Sequence, residues 1–321
     1  QRAARLCDAT WAPFPRHSGR RVWYMHIPKG GTTFIESVWH YACPSFAGSG
    51  VRLSTHLQRI EYQFYRDFDW RGGCLPPAGY LVESGSKNRH HVPFSEEVLW
   101  SKEPIAAAIF REPSQRLMSA YSAKPGLHAD GMSHRLKKRL KDQCSGKPEC
   151  YARFPGVANC VTKMLLGHHC GGGHTLRPGE AAEAAERVRT NFSFVGLTSC
   201  LRESVCLFHR LYGAAPRPAE FATIRSNDVR AACGGDVAVN KTRGWYDTTP
   251  LEGFVDTPDE GVYAAALEIF EEQVGIVEHE VAAGRAETPP PLRARIRQGA
   301  RKTKADGGRD GLAGLVSGIF G

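Results

Sequence analysis

A hexapeptide near the N-terminus, Pro28–Thr33 with the sequence PKGGTT, combines residue types that bind anions. Its glycines let the backbone approach a ligand without a Cβ in the way, while its lysine and threonines supply an ammonium group and hydroxyl donors. The chemistry that this combination favours is the binding of a phosphate group. The candidate ligands are Lys29, Gly30, Gly31, Thr32 and Thr33.

The segments on either side of this loop predict how it is held. Val22–Ile27 is a β-branched and aromatic run typical of a buried strand, and apolar residues at helical spacing follow at 34–39. A strand that turns through glycines into a helix directs backbone N–H groups, and the positive end of the helix dipole, at one point. We therefore expect a phosphate site at this helix N-terminus; the simpler alternative is a glycine turn with a surface lysine.

A second candidate anion site follows the apolar run Ile105–Phe110, which is typical of a central parallel strand buried on both faces. Arg111 comes directly after this run, and Pro113 fits the first turn of a helix. Ser119 follows on the same predicted helix. A guanidinium can bind a phosphate through two hydrogen bonds, and a serine hydroxyl can donate another. Arg111 and Ser119 are therefore candidate ligands of a second phosphate group.

Both motifs resemble those of sulfotransferases that use 3′-phosphoadenosine 5′-phosphosulfate (PAPS). The order Pro-Lys-x-Gly-Thr-Thr resembles their 5′-phosphosulfate loop, and Phe-Arg-Glu-Pro-x-x-Arg-x-x-Ser-x-Tyr at 110–121 resembles their 3′-phosphate motif. The longer stretch 26–34 is similar to the Golgi carbohydrate O-sulfotransferases of the 2-O- and 3-O-sulfotransferase-like branch. The loop here is one residue shorter than is usual in that branch, so the acceptor class stays open.

The resemblance implies an α/β fold, namely a P-loop-like three-layer sandwich with a central parallel sheet flanked by helices. It also implies transfer of a sulfuryl group from PAPS to an acceptor hydroxyl, with a carbohydrate as the expected acceptor. Lys29 would donate to the leaving phosphate oxygen, and the scheme requires no metal. A late basic loop in this family closes over the nucleotide, which makes Lys241, Thr242 and Arg243 further candidates.

His91 is the candidate base for the acceptor hydroxyl. The element His-Val-Pro-Phe at 91–94 resembles one that precedes the 3′-phosphate strand in carbohydrate 2-O- and 3-O-sulfotransferases, where a histidine is the base. An imidazole with an unperturbed pKa of about 6.5 can accept a proton at neutral pH. The alternatives are His90, Glu36 and Glu83, since other sulfotransferases use a glutamate.

The cysteines indicate an oxidising compartment. The chain has ten, an even number, and several are closely spaced. This pattern suits a secreted or lumenal protein with local disulfides, although the sequence leaves their connectivity open. The close pairs are Cys144 with Cys150, Cys160 with Cys170, and Cys200 with Cys206.

Two further patterns bear on the compartment and on metals. Asn191 and Asn240 begin glycosylation sequons, which agree with a lumenal setting but also occur by chance. His168, His169 and Cys170 cluster in a way that could suggest zinc. Because no pair of Cys-x-x-Cys elements accompanies them, we expect no metal site.

One sulfotransferase domain is predicted at residues 21–284, after a lead-in segment at 1–20 and before a basic tail at 285–321. The tail has eight basic residues against three acidic ones and is rich in glycine, which predicts a solvated, disordered segment. The whole chain has a net charge of +9, which suits an anionic cofactor, but it lacks the aromatic-interleaved basic stripe of nucleic-acid-binding proteins.

No run of eighteen apolar residues is present, so the chain as given does not span a membrane. Because it begins with Gln1 and not Met, we expect a fragment of a longer protein, so the absence of a signal or anchor is uninformative. The resemblance implies a protein of the Golgi lumen or secretory pathway that is membrane-anchored in its full length. The oligomeric state is not indicated. Acceptor specificity is expected in residues 41–78 and 125–180. Further helices are predicted at 159–167, 180–190, 201–212 and 258–280, and strands at 79–82 and 192–195.

Two other functions compete with sulfate transfer. A nucleotide-dependent phosphotransferase would need a Gly-Lys-Ser/Thr end to its loop and an acidic metal-holding residue at a strand end, and neither arrangement is found. A catalytically inactive lumenal protein of the same fold, which binds carbohydrate or nucleotide, is the second alternative. The presence of Lys29, His91, Arg111 and Ser119 favours the enzyme.

Overall fold

The structure is a computed structural model that describes residues 6–7, 22–31, 91–101, 103–123, 132–212, 215–221 and 246–282. These residues belong to one compact unit, Gln1–Arg285. The helix predicted at 34–39, the strand predicted at 79–82 and the basic tail lie outside the described residues. The domain boundaries drawn from the sequence therefore stay predictions.

Three parallel strands form the sheet that positions the candidate site. They are β1 (Trp23–Tyr24), β2 (Ala106–Phe110) and β3 (Phe192–Leu197), hydrogen-bonded in the order β1-β2-β3. Every residue of the three strands is buried, as their apolar runs predict for a parallel sheet. The α/β class with a central parallel strand at β2 is confirmed, whereas the finer P-loop-like sandwich stays a prediction.

The first strand is shorter than the predicted run Val22–Ile27. Only Trp23–Tyr24 forms ladder pairs, and the Met25 N–H adds one further hydrogen bond to β2 at 2.9 Å. Ile27, the last residue of the run, instead accepts a hydrogen bond from the Gly30 N–H at 2.9 Å. The strand ends early because its final residue is already part of the turn that begins the loop.

The helices within the described residues surround this sheet. The helices predicted at 159–167, 180–190, 201–212 and 258–280 are confirmed with shifts of a few residues at their ends, and β3 extends the predicted strand at 192–195 by two residues. The helices are α1 (Glu96–Leu99), α2 (Pro113–Ser122), α3 (His134–Cys144), α4 (Pro148–Arg153), α5 (Cys160–Leu165), α6 (Glu180–Asn191), α7 (Leu201–Tyr212) and α8 (Thr257–Ala282).

The long helix α8 is fixed to β3 by one buried side chain, Gln273. The Val195 N–H donates to its Oε1 at 3.0 Å, and its Nε2 donates to the Ser193 carbonyl at 3.2 Å. These backbone groups lie on the side of β3 that faces away from β2, where no neighbouring strand is described. The amide thus satisfies polar groups that would otherwise be costly to bury.

A buried ion network joins α2 to α5 and α8. The Arg116 side chain is 2% exposed, and its Nη2 lies 3.5 Å from Asp259 and 3.9 Å from Asp256. Asp259 also accepts hydrogen bonds from the backbone N–H and hydroxyl of Thr162, at 2.9 and 2.8 Å, in the first turn of α5. Asp256 accepts from the Asn159 N–H at 2.9 Å. The network therefore fixes the helix that begins two residues after Arg111.

A second hydrophobic cluster lies beside the main core and packs on α2. It combines apolar side chains from α2, α3 and α4 with residues next to α3 and α4 and with Leu251, which lies shortly before α8. Because α2 contributes to this cluster and to the ion network, its position is determined from two sides. The buried members are Leu117, Met118, Ala120, Met132, Leu140, Cys144, Tyr151, Ala152, Phe154, Val157 and Leu251.

The disulfides support an oxidising, secreted or lumenal environment. Two local pairs suggested by spacing are present, but Cys206 pairs with Cys7 and not with Cys200, which is itself disulfide-bonded. A separation of six residues at 3.6 residues per turn places Cys200 and Cys206 on different sides of a helix, so a local bridge is unfavourable. No helix among the described residues has the length and apolar content needed to cross a membrane. The local pairs are Cys144–Cys150 and Cys160–Cys170.

The sequon at Asn191 has a role in packing. Its side chain is buried, and its Nδ2 donates to the Val98 carbonyl at 2.8 Å. The hydroxyl of Ser193, the third sequon residue, donates to the Ala106 carbonyl at 2.9 Å. A glycan on the Asn191 amide would displace it from the core, while Asn240 lies outside the described residues.

Removal of the Arg116 side chain tests the ion network. Arg116→Ala leaves Asp256 and Asp259 buried without their arginine, and we expect it to lower the free energy of unfolding by about 3 kcal/mol or more. The measurement is denaturant unfolding at pH 7. As a control, Lys138→Ala removes an exposed ion pair with Asp142 and should cost less than about 1 kcal/mol. Equally small effects of the two substitutions would contradict the structural role of the network.

Candidate functional site

The loop after β1 turns sharply at the carboxyl end of the strand. Lys29 has φ of 67° and Gly31 has φ of 91°, both in the left-handed region. Left-handed residues within a tight turn are typical of the backbone concavities in which N–H groups converge on an anion. A lysine in this conformation is uncommon, so its backbone is constrained by the surrounding contacts.

Gly30 and Gly31 place the loop across the ends of the two following strands. A Cβ added to Gly30 would lie only 2.8 Å from the carbonyl oxygen of Ile109, a contact that real side chains do not make. A Cβ on Gly31 would lie 3.5 Å from Cγ2 of Thr198, the first residue after β3. Close approach thus requires glycine at position 30, whereas the left-handed φ favours glycine at position 31, and the loop meets the carboxyl edge of β2 and β3.

Arg111 lies next to the loop, as the two predicted phosphate motifs require. Its Nη1 lies 3.5 Å from the Lys29 carbonyl oxygen, a weak contact that is longer than an ordinary N–H···O hydrogen bond. Its guanidinium also lies 5.4 Å from the ring centroid of Tyr246. The Tyr246 N–H donates a hydrogen bond to Oε1 of Gln115 at 2.8 Å, and Nε2 of Gln115 donates one to the Tyr246 carbonyl at 2.9 Å. The first turn of α2 thus holds an aromatic ring against the guanidinium, an arrangement that orients a cation.

His91 lies beside the residue that begins the extended loop motif. Its ring centroid is 4.4 Å from that of His26, at an interplanar angle of 44°. His26 is buried and lies two residues after the end of β1. The candidate base therefore reaches the same end of β1 as the loop, although the sequence separates His91 from Lys29 by more than sixty residues.

Ser119 is less closely connected to this group. It lies on α2, six residues after Pro113, which corresponds to about 9 Å of helix rise, and it is 4% exposed. No hydrogen bond joins its hydroxyl to Lys29, Gly31 or Arg111 in the part of the chain that the structure describes. Ser119 therefore lies on the helix that follows the arginine but does not meet the arginine in this structure.

Carboxyl groups near Arg111 were not singled out from the sequence. Glu112 accepts hydrogen bonds from the Ser114 and Gln115 backbone N–H groups at 3.2 and 2.7 Å, so it caps α2. Burial, and after it the charges of Glu112 and Asp259, raise the pKa of Glu260 to about 7. Glu260 could therefore exchange a proton near neutral pH. Its place beside Glu112 depends on how α8 packs, which no local sequence pattern signals.

Several sequence-predicted candidates lie outside the described residues. They include hydroxyl donors of the loop, the alternative bases and the late basic loop, and their assignments stay predictions. The residues concerned are Thr32, Thr33, Glu36, Glu83, His90, Lys241, Thr242 and Arg243.

The zinc hypothesis loses its cysteine ligand. Cys170 is bonded to Cys160 and cannot supply a thiolate. His168 instead stacks on His174 with ring centroids 3.8 Å apart. Burial, followed by the neighbouring His174, lowers the pKa of His168. Within the described ranges, no group of three or more His, Cys, Asp or Glu residues is arranged to hold a metal ion.

Comparison of the chain with family models, curated proteins and solved structures found no match. The chemistry of the site therefore has to be inferred from its own residues. A left-handed glycine turn, a lysine and an arginine held on an aromatic ring can bind an anion, and an adjacent imidazole can accept a proton. These groups meet at the carboxyl edge of a parallel sheet, where open α/β sheets bind ligands.

Proposed function

We propose that this protein is a PAPS-dependent sulfotransferase that transfers a sulfuryl group to a hydroxyl of a carbohydrate. The observation that carries the proposal is the contact between Arg111 and the Lys29 carbonyl. Two motifs that resemble the two phosphate motifs of one enzyme family, far apart in sequence, thereby meet at one sheet edge. The P-loop-like three-layer sandwich is the finer architecture that goes with this proposal.

The residues present fit the two phosphate groups of such a nucleotide. The close packing of Gly30 on β2 and the left-handed turn at Lys29 and Gly31 support a cradle for the 5′-phosphosulfate, to which Thr32 and Thr33 would add donors. Arg111 would bind the 3′-phosphate. Because a guanidinium has five N–H donors, its contact with the Lys29 carbonyl is compatible with a phosphate. The 3′-phosphate would contact Ser119 only if it extended from Arg111 along α2.

The transfer reaction requires a cation at the leaving group and a base at the acceptor hydroxyl. Bound PAPS supplies the sulfuryl group and a phosphate as the leaving group. The Lys29 ammonium would donate a hydrogen bond to the leaving oxygen and offset its developing charge. The His91 imidazole would take the proton of the acceptor hydroxyl, because an imidazole accepts protons at neutral pH. Glu260, whose pKa is raised to about 7, is the second candidate for this proton.

The proposed setting is the Golgi lumen. The disulfides between described residues support an oxidising compartment of the secretory pathway, where glycans with free hydroxyl groups are abundant partners. Charge compensation by Lys29, Arg111 and backbone N–H groups means that the scheme needs no metal ion. Membrane anchoring of a longer protein is part of the same proposal.

Binding of adenosine 3′,5′-bisphosphate tests the nucleotide site. We expect Arg111→Ala to weaken binding by about 10- to 100-fold in calorimetry, because a charged hydrogen-bonding partner of the 3′-phosphate is lost. Arg189→Ala, which removes an arginine that pairs with Glu268 on the surface, is the control and should bind as the wild type does. Adenosine 5′-monophosphate, which lacks the 3′-phosphate, should bind weakly to every variant. Equal affinity for both nucleotides would overturn the proposal.

Transfer of labelled sulfate from PAPS to a panel of glycans tests turnover and the base. We expect His91→Ala to lower kcat by about 10²- to 10⁴-fold while the affinity for adenosine 3′,5′-bisphosphate stays unchanged. Glu260→Gln is the matched variant at the competing carboxyl and should keep most activity. A loss confined to Glu260→Gln would move the role of base to that residue. Tight nucleotide binding without transfer to any hydroxyl compound would favour the inactive binding protein.

A further inference from the structure

A strongly basic surface lies on α3, outside the residues assigned to the candidate site. The helix has the sequence HRLKKRLKDQC, with five lysines and arginines and a single acidic residue. Its apolar positions Leu140 and Cys144 are buried. The α3 basic surface is formed by Arg135, Lys138, Arg139 and Lys141, which are exposed, by Lys137, which is half-buried, and by the exposed Lys147, which directly precedes α4.

The surface is held in place by the rest of the fold. The Ser133 hydroxyl accepts a hydrogen bond from the Leu136 N–H at 3.3 Å and caps the start of α3. The disulfide Cys144–Cys150 connects the end of α3 to α4. Leu140 belongs to the same buried cluster as Leu117 of α2. The basic side chains are therefore presented by a packed helix that is in contact, through α2, with the segment that begins at Arg111.

The positive charges of this surface are poorly compensated within the protein. Lys138 pairs with Asp142 at 3.0 Å, but within the described ranges no carboxylate forms an ion pair with Arg135, Lys137 or Lys141. Like charges one helical turn apart repel each other. An anionic ligand would relieve this repulsion, and a concentrated positive field also raises the rate at which such a ligand arrives.

The structure also limits which polyanion fits. The exposed large apolar side chains of the described residues are Trp100, Val255 and Leu267, none of them on α3, so this helix lacks the apolar face with which a helix enters a lipid surface. The disulfide at its end places it in an oxidising compartment, which argues against nucleic acid. Lysine and arginine along about 9 Å of helix, from Arg135 to Lys141, suit a chain with regularly spaced anionic groups.

We propose that the α3 basic surface binds an acidic polysaccharide, a sugar chain that carries carboxylate or sulfate groups. Binding of this polymer does not depend on any catalytic step. The additional statement that the bound polymer is the acceptor of sulfate rests on the proposed function. If that statement holds, the positive charge of α3 selects an acidic glycan as the acceptor, while the loop after β1 and Arg111 bind the nucleotide.

The test compares two triple variants of the full chain in the absence of nucleotide. One carries Arg135→Gln, Lys138→Gln and Lys141→Gln; the other carries Arg177→Gln, Arg189→Gln and Arg202→Gln. Both lose the same net charge and keep the basic tail, and glutamine preserves helix propensity. An unfolding midpoint close to that of the wild type is required of both variants, to establish that they are folded. The probes are heparin, which is sulfated, polygalacturonate, which carries only carboxylates, and uncharged dextran.

We expect the α3 variant to bind heparin about tenfold more weakly than the wild type at low ionic strength. The slope of log affinity against log salt concentration should also be smaller than that of the wild type by about 2 to 3, because fewer counterions are released on binding. The control variant should stay within about twofold of the wild type, and dextran should not bind. If only heparin binds, the ligand must carry sulfate groups. If polygalacturonate binds as well, carboxylate groups are sufficient for binding.

Three results would overturn the proposal. The wild type could bind neither acidic polymer, or both triple variants could lose affinity equally, which would reduce the effect to net charge. Vesicles that contain phosphatidylserine could instead bind with the same dependence on α3, which would identify a lipid surface. Because no nucleotide is present, failure of adenosine 3′,5′-bisphosphate to bind would leave the result on polysaccharides intact.

Discussion

The arrangement of the helices depends on one buried guanidinium, that of Arg116. Two carboxylates share it, Asp259 in the first turn of α8 and Asp256 just before that helix, and burial, followed by the neighbouring Asp259, raises the pKa of Asp256 to about 7. Buried charges are tolerated only with partners, so α2, α5 and α8 cannot move independently without leaving one of them unpaired. Since Arg111 lies directly before α2, the position of the candidate phosphate ligand follows from this network.

The two proposed binding functions meet on the same helix. One end of α2 begins beside Arg111 and, through Gln115, holds Tyr246 against the guanidinium. Its apolar side packs in the cluster that also contains Leu140 of α3. A nucleotide at the sheet edge and an acidic glycan on α3 would therefore be held by elements that are connected through one hydrophobic cluster. This is a physical reason for expecting donor and acceptor in one protein.

What the sequence predicts well is what hydrophobic periodicity determines. The run Ile105–Phe110 contains the central strand, and the apolar face of α7 matches its predicted bounds at 201–212. The close approach of the glycine loop to Arg111 agrees with the two motifs, whereas their assignment to an anion stays a prediction. Pairing of Cys7 with Cys206, the ring of Tyr246 and the raised pKa of Glu260 could not be predicted. Each depends on which distant segments pack together, and no local pattern encodes that choice.

The central claim is that the loop after β1 and Arg111 form one nucleotide site. A crystal structure of the complex with adenosine 3′,5′-bisphosphate tests this most directly. We expect the 5′-phosphate to bind the backbone N–H groups of the glycine turn and the Lys29 ammonium, and the 3′-phosphate to accept hydrogen bonds from Arg111. A nucleotide bound elsewhere, or bound here with its 3′-phosphate away from Arg111, would contradict the claim.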